Sequence, residues 1–149
     1  MVIERKGICQ ANTWNIDEVS TALGVTYNQT VIGTVATDAT VVKRPNDREW
    51  CTAIEAISVA GSVCKPLLIF KAKHVQQQWF IADQTPDWAY TSSAAAFTTN
   101  EIGLKWLQEI FVPHVHSTLA KEEWVLLLLD GHGSHITPDF MLYAYQHRV

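Results

Sequence analysis

The sequence predicts an α/β fold, a mixed sheet with flanking helices, and three observations lead there. Alternating, β-branched segments fill the first half of the chain. A helical apolar stripe follows them. A strand that is apolar on both faces then stands between that stripe and a last helix, the pattern of a strand covered on both sides.

The first strand is read over Ala11–Asp17, where Trp14 and Ile16 alternate with polar neighbours. Between Gly24 and Asp47, Val31–Val35 lies among turn formers, and Arg44-Pro45-Asn46-Asp47 reads as a loop. Trp50–Ala60 and Lys65–Lys71 form a hairpin around Gly61-Ser62, which gives three antiparallel strands in all. His74–Thr99 holds no steady period and is assigned mostly to loop. Thr98 with Glu101 three residues later fits a capping box, and Ile102, Trp106, Leu107, Ile110 and Phe111 share one helical face that Pro113 should end. Val125–Leu129 is the doubly apolar strand, running into Asp130 and broken at Gly131. Thr137 before Pro138 marks the N-cap of a last helix carrying Phe140, Met141 and Tyr143–Tyr145.

Composition narrows the function classes. A chain of 149 residues supports one domain, and 48% hydrophobic with 17% charged residues is a globular composition. The longest apolar run, Trp124–Leu129, is far short of the ~20 residues that cross a bilayer. No membrane association is expected. Met1–Lys6 has charges without an apolar stretch behind them, so an intracellular protein is expected. Cys9, Cys51 and Cys64 are odd in number and lack CxxC spacing, which disfavours disulfides and Cys-based zinc and predicts buried, reduced thiols. A net charge of −4 predicts weak DNA binding by this chain alone, because affinity for phosphates comes mainly from Lys and Arg. The small basic group Lys71, Lys73 and His74 reads as a solvated loop.

A sheet with this element order can set the first strand beside the doubly apolar one, parallel and ~4.8 Å away. Asp17 and Asp130 then emerge together at carboxyl ends of strands, where open α/β sheets carry their sites. Paired carboxylates suit a hard divalent cation, and two such ions can stabilise both the attacking and the leaving oxygen in phosphoryl chemistry. Taken singly, each Asp is more simply explained as a turn cap at a strand end.

Four segments occur in an order that resembles one family. They are Trp14-Asn15-Ile16-Asp17-Glu18, Arg48–Glu55, Pro66–Lys71 and Leu128-Leu129-Asp130-Gly131-His132-Gly133-Ser134-His135. From about Asn12 to the end, the chain is similar to the DDE superfamily endonucleases of mariner/pogo-type transposable elements. The separation of Asp17 from Asp130 resembles the family's spacing too. The resemblance implies a ribonuclease H-like fold, a nuclear location, and Mg²⁺- or Mn²⁺-dependent cleavage and strand transfer on DNA. It makes Asp17 and Asp130 the first two metal ligands and catalytic acids, with His132 and His135 hydrogen-bonding the loop and orienting Asp130 or a phosphate.

Two departures accompany it. The family's third acid is expected a few tens of residues past the second, and only residues 131–149 follow Asp130; Asp139 is too near and is explained by the dipole of its helix. The chain is therefore expected to be a domain incomplete at its C-terminus, inactive alone and prone to pair with another copy or aggregate. Val19-Ser20 also replaces the family's Thr-Gly after the first acid. The alternative is a host-adopted remnant that serves as a DNA-associated or protein-interaction module.

His114, His116, His132 and His135 could form a zinc cluster, though hydrogen bonding is the simpler role. Glu18 is either a group that steadies Asp17 or an exposed acid beside a turn. Gly131-His132-Gly133 lacks the lysine and spacing of a phosphate-cradling loop. Trp106 reads as core, and Trp79 and Trp88 as buried under the loop rather than stacking on bases.

Overall fold

The computed structural model describes residues 2–23, 49–80, 86–119, 123–131 and 137–149. The Val31–Val35 segment and the Arg44–Asp47 loop lie outside them. The chain opens with a short helix α1, Val2–Lys6, and enters β1, Thr13–Leu23. Then come β2, Glu49–Ser58, and β3, Leu67–Lys71, followed by β4, Ala89–Ser93. A helical stretch follows as α2, Asn100–Trp106, a π-helical segment, Leu107–Phe111, and α3, Val112–Thr118. Last are β5, Leu126–Leu128, and α4, Pro138–Gln146.

The five strands form one sheet in the order β4-β3-β2-β1-β5. As the sequence predicts, β1, β2 and β3 are successively antiparallel, and β5 lies parallel to β1. At the turn between β2 and β3, Gly61 has φ of +84°, a left-handed conformation that favours glycine, and its N–H donates to the Ser58 carbonyl. The mixed α/β sheet with flanking helices is the expected fold class.

The core occupies one side of the sheet. Trp14, Ile16, Ile54, Ala56, Leu67 and Ile69 face Trp106, Leu107, Phe111, Val112 and Val115 of the helical stretch. Phe111 is the pivot: Trp14 meets it edge-on at 5.7 Å, and Trp106 stacks on it at 5.1 Å. Val125, Phe140 and Ala144 extend this core to β5 and α4.

Several expectations are corrected. The helix does not end at Pro113 but runs through it to Thr118, because the π-helical turn widens the backbone just ahead of the proline. There the Val112 N–H bonds the Leu107 carbonyl, five residues back. A proline in an ordinary α-helix lacks an N–H and crowds the carbonyl four residues earlier; a wider turn relieves that crowding. The N-cap is Thr99 rather than Thr98: its hydroxyl accepts from the Ile102 N–H at 3.3 Å, so Glu101 closes no capping box with Thr98. Thr137 does cap α4, accepting from the Phe140 N–H at 3.3 Å.

The stretch assigned to loop contains β4, which pairs parallel to β3 from Leu67↔Ala89 to Lys71↔Ser93. β5 is a sheet edge among the described residues rather than a central strand, and Leu128 is 48% exposed. Trp79 and Trp88 are exposed, not buried, although Trp79 rests against Phe70 at 5.5 Å. Trp106 is core, as expected. All three cysteines are free; Cys51 and Cys64 are buried and Cys9 is exposed.

Candidate metal centre

Side chains alternate across a strand, so burial on β1 tells which way each residue points. Trp14 and Ile16 are buried in the core, and Asn15 and Asp17 are exposed on the opposite face. On β5 the same alternation buries Val125 and exposes Leu128, with Asp130 two residues further on and also exposed. The parallel register pairs Asn15 with Leu128. Asp17 and Asp130 each lie two residues beyond that pair. Asp17 is still within β1, whereas Asp130 follows the last residue of β5, so the register continued past the strand end would set the two acids beside one another.

On the other flank of β1, Asp17 pairs directly with Glu55 of β2, an exposed residue on the same face. Asp17 and Glu55 therefore stand side by side on the exposed face of the sheet. Sequence reading gave Glu55 no role, because only the antiparallel register of β1 and β2 brings it opposite Asp17. That register was readable in principle from the buried alternation of Ile54, Ala56 and Ser58.

One oxygen of Asp17 is fixed locally: Oδ1 accepts from the Glu18 N–H at 2.8 Å. Glu18 itself pairs with Ile54 and is half-buried on the core side. Its hold on Asp17 is through the main chain. Asp130 sits in the bend after β5, next to exposed Gly131. His132 and His135 lie outside the described residues.

The two carboxylates of Asp17 and Asp130 are hard oxygen donors on adjacent segments, exposed enough to keep water on a bound ion, which suits Mg²⁺ or Mn²⁺. Among the described residues no group of three or more His, Cys, Asp or Glu side chains is arranged to hold a metal. The imagined zinc cluster gains no support from its two described members. His114 packs edge-on against Trp14 at 5.4 Å, and His116 Nε2 bonds the His147 carbonyl at 3.0 Å. Lys73 and His74 are exposed just past β3, as the loop reading expected, while Lys71, also exposed, is the last residue of β3 and pairs with Ser93.

The family model described as DDE superfamily endonuclease matches residues 47–148, a stretch that includes Glu55 and Asp130. Over 131 residues the chain is 33% identical to a protein of Cochliobolus lunatus named MFS-type transporter clz9, covering 86% of this chain and 14% of that protein. The chain thus spans a small part of this relative's length. No solved structure matches.

Proposed function

The chain belongs to the DDE superfamily endonucleases, and from that premise we propose that it is part of a transposase-derived nuclease of the mariner/pogo type, acting on DNA phosphodiesters. The reading is supported by the parallel register of β1 and β5, whose last pair, Asn15↔Leu128, lies two residues before each of the exposed acids Asp17 and Asp130. In this reading both acids hold Mg²⁺ or Mn²⁺, and the metal supplies Lewis-acid stabilisation of the phosphate and an activated water or 3′-hydroxyl.

The protein's own contribution is to position. The Glu18 N–H fixes Asp17 Oδ1, which leaves Oδ2 to turn toward a cation between the strand ends. The buried partners of β1, Trp14 and Ile16, keep the strand from twisting its acid toward the core. Cleavage and strand transfer need a further carboxylate beyond these two, as the family resemblance implies, and the nucleus is where such a protein would meet its DNA.

The net charge of −4 favours a second reading, in which the fold serves as an interaction module. Among the described residues, no helix is long and apolar enough to cross a membrane.

Titration calorimetry with Mn²⁺ separates the nuclease reading from the module. The parent chain is expected to bind, and Asp17→Ala and Asp130→Ala each to lose measurable binding while unfolding at the parent temperature, since both side chains are exposed. Binding that persists unchanged in both variants overturns the assignment; no binding by the parent favours the module.

A further inference from the structure

The face of the sheet that carries Asp17 and Glu55 also carries an aromatic step. Ile69 of β3 is fully buried in the core, so the next residue, Phe70, points to the opposite side. There Phe70 pairs with Cys51, which stands four residues along β2 from Glu55 and therefore on the same face. Tyr90 of β4, level with Leu68, lies nearly parallel to Phe70 at 6.4 Å, and its hydroxyl donates to the Pro86 carbonyl at 2.9 Å. Phe80 packs on Tyr90 at 4.5 Å, and Trp79 meets Phe70 at 5.5 Å. Trp79 is both held and open. Its main-chain N–H donates to the Gln76 carbonyl at 3.1 Å and its ring rests on Phe70, yet 41% of the residue meets solvent. A fixed indole of that exposure offers a flat π-surface to a ligand.

The chain that leaves Phe70 returns to it at Trp79, so the loop 71–78 closes beside the step. That loop holds Lys71, Lys73 and His74 and no acid, and neither lysine forms an ion pair among the described residues. A flat apolar surface bordered by positive charge matches a nucleotide, its base on the ring and its phosphate beside a lysine. Duplex DNA hides the faces of its bases, and a chain of net charge −4 gains little from phosphates alone. Unpaired nucleotides offer both contacts. We propose that the aromatic step binds unpaired nucleotides of single-stranded DNA, with a base stacked on Trp79 and the backbone beside Lys73. From Cys51 to Glu55, β2 covers about 13 Å, roughly the length of four stacked nucleotides, so a strand seated on the step extends toward Asp17. The proposal rests on the reading of this face as one that works on DNA, though not on its holding a metal.

The test is fluorescence anisotropy of a labelled oligothymidylate of about eight nucleotides, titrated with the chain at low salt in EDTA so that no metal takes part. An abasic strand of the same length and charge, the corresponding duplex and an oligouridylate are the comparisons. The parent is expected to bind the oligothymidylate saturably, and the abasic strand and the duplex about tenfold more weakly. Trp79→Ala, at an exposed position, is expected to weaken binding about tenfold with unchanged circular dichroism, and Trp79→Phe to keep most of the affinity. Lys73→Gln is expected to flatten the dependence on salt. An abasic strand bound as well as the oligothymidylate overturns the proposal on the parent chain alone, even should Trp79→Ala not fold. So does a duplex bound equally well, an oligouridylate bound about tenfold more tightly, or an unchanged affinity in a folded Trp79→Ala. Calorimetry with Mn²⁺ reads the acids separately: a chain that binds the metal but not the oligonucleotide refutes this proposal alone, and the converse refutes only the metal site.

Discussion

Cys64 sits 1% exposed beneath the helical stretch, its Sγ 4.0 Å from the Ile110 carbonyl. Burial pushes its thiol up to about 11 from the ordinary 9.0, against a smaller opposing effect of the Lys65 backbone. The folded chain therefore keeps this proton where the unfolded chain has already released it. Stability from this group is fully present below pH 9.0 and is lost as pH rises through about 11. A shift of this size corresponds to roughly 2–3 kcal/mol. Urea denaturation between those pH values should show the parent chain weakening steeply and Cys64→Ala weakening less; parallel pH curves for the two would refute the linkage. Cys51, likewise raised by burial, contributes in the same direction. At this scale the candidate acids were legible, since Asp17 and Asp130 follow apolar strands and alternation sets the face of Asp17. Glu55 was not, because its place beside Asp17 depends on a partner strand far along the chain.

The helical stretch shows how an element reconciles two demands. Its buried residues Ile102, Trp106, Phe111 and Val115 are spaced by four, five and four, and a step of five overshoots an α-helical turn. The π-helical segment Leu107–Phe111 takes up the extra residue, which keeps Phe111 and Val115 over the sheet and turns Pro113 and His116 outward. Deleting Gln108 should remove that slack and rotate Phe111 off Trp14, at a cost comparable with losing a core aromatic, about 3–5 kcal/mol. Gln108→Ala, which keeps the count, should stay within about 0.5 kcal/mol of the parent. Chemical denaturation of both variants decides it: equal midpoints would mean that the π-turn is incidental to packing. The five-residue step was present in the sequence, but Pro113 is the stronger local signal and favours a stop. β4 was illegible for another reason. Ala89–Ser93 follows Ala89 and Tyr90 with three hydroxyl residues and is half-buried throughout, so no period marks it, and it becomes a strand through its pairing with β3.

Across the whole molecule the two faces of the sheet are unequal. The helical side is closed by Trp106, Phe111 and Val115, while the opposite side leaves Val19, Ile57 and Leu128 about half exposed on the face that carries Asp17 and Glu55. Ile57 and Leu128 flank Asn15 from either neighbour, so they form an apolar band beside Asp17. β5 adds a short edge with main-chain groups suited to pairing. Apolar strand faces and edges of this kind favour association, whereas the net charge of −4 opposes it only weakly at ordinary salt. Sedimentation velocity should therefore show self-association at micromolar concentration that grows with salt, as repulsion is screened. The double variant Ile57→Lys with Leu128→Lys should sediment as a monomer and retain the parent's circular dichroism, because both positions are exposed and neither packs in the core. A parent chain that stays monomeric at every salt concentration would show that this face does not drive pairing. If the parent associates and the double variant associates equally, the contact lies elsewhere, and the face carrying Asp17 and Glu55 remains open to solvent in the assembled form.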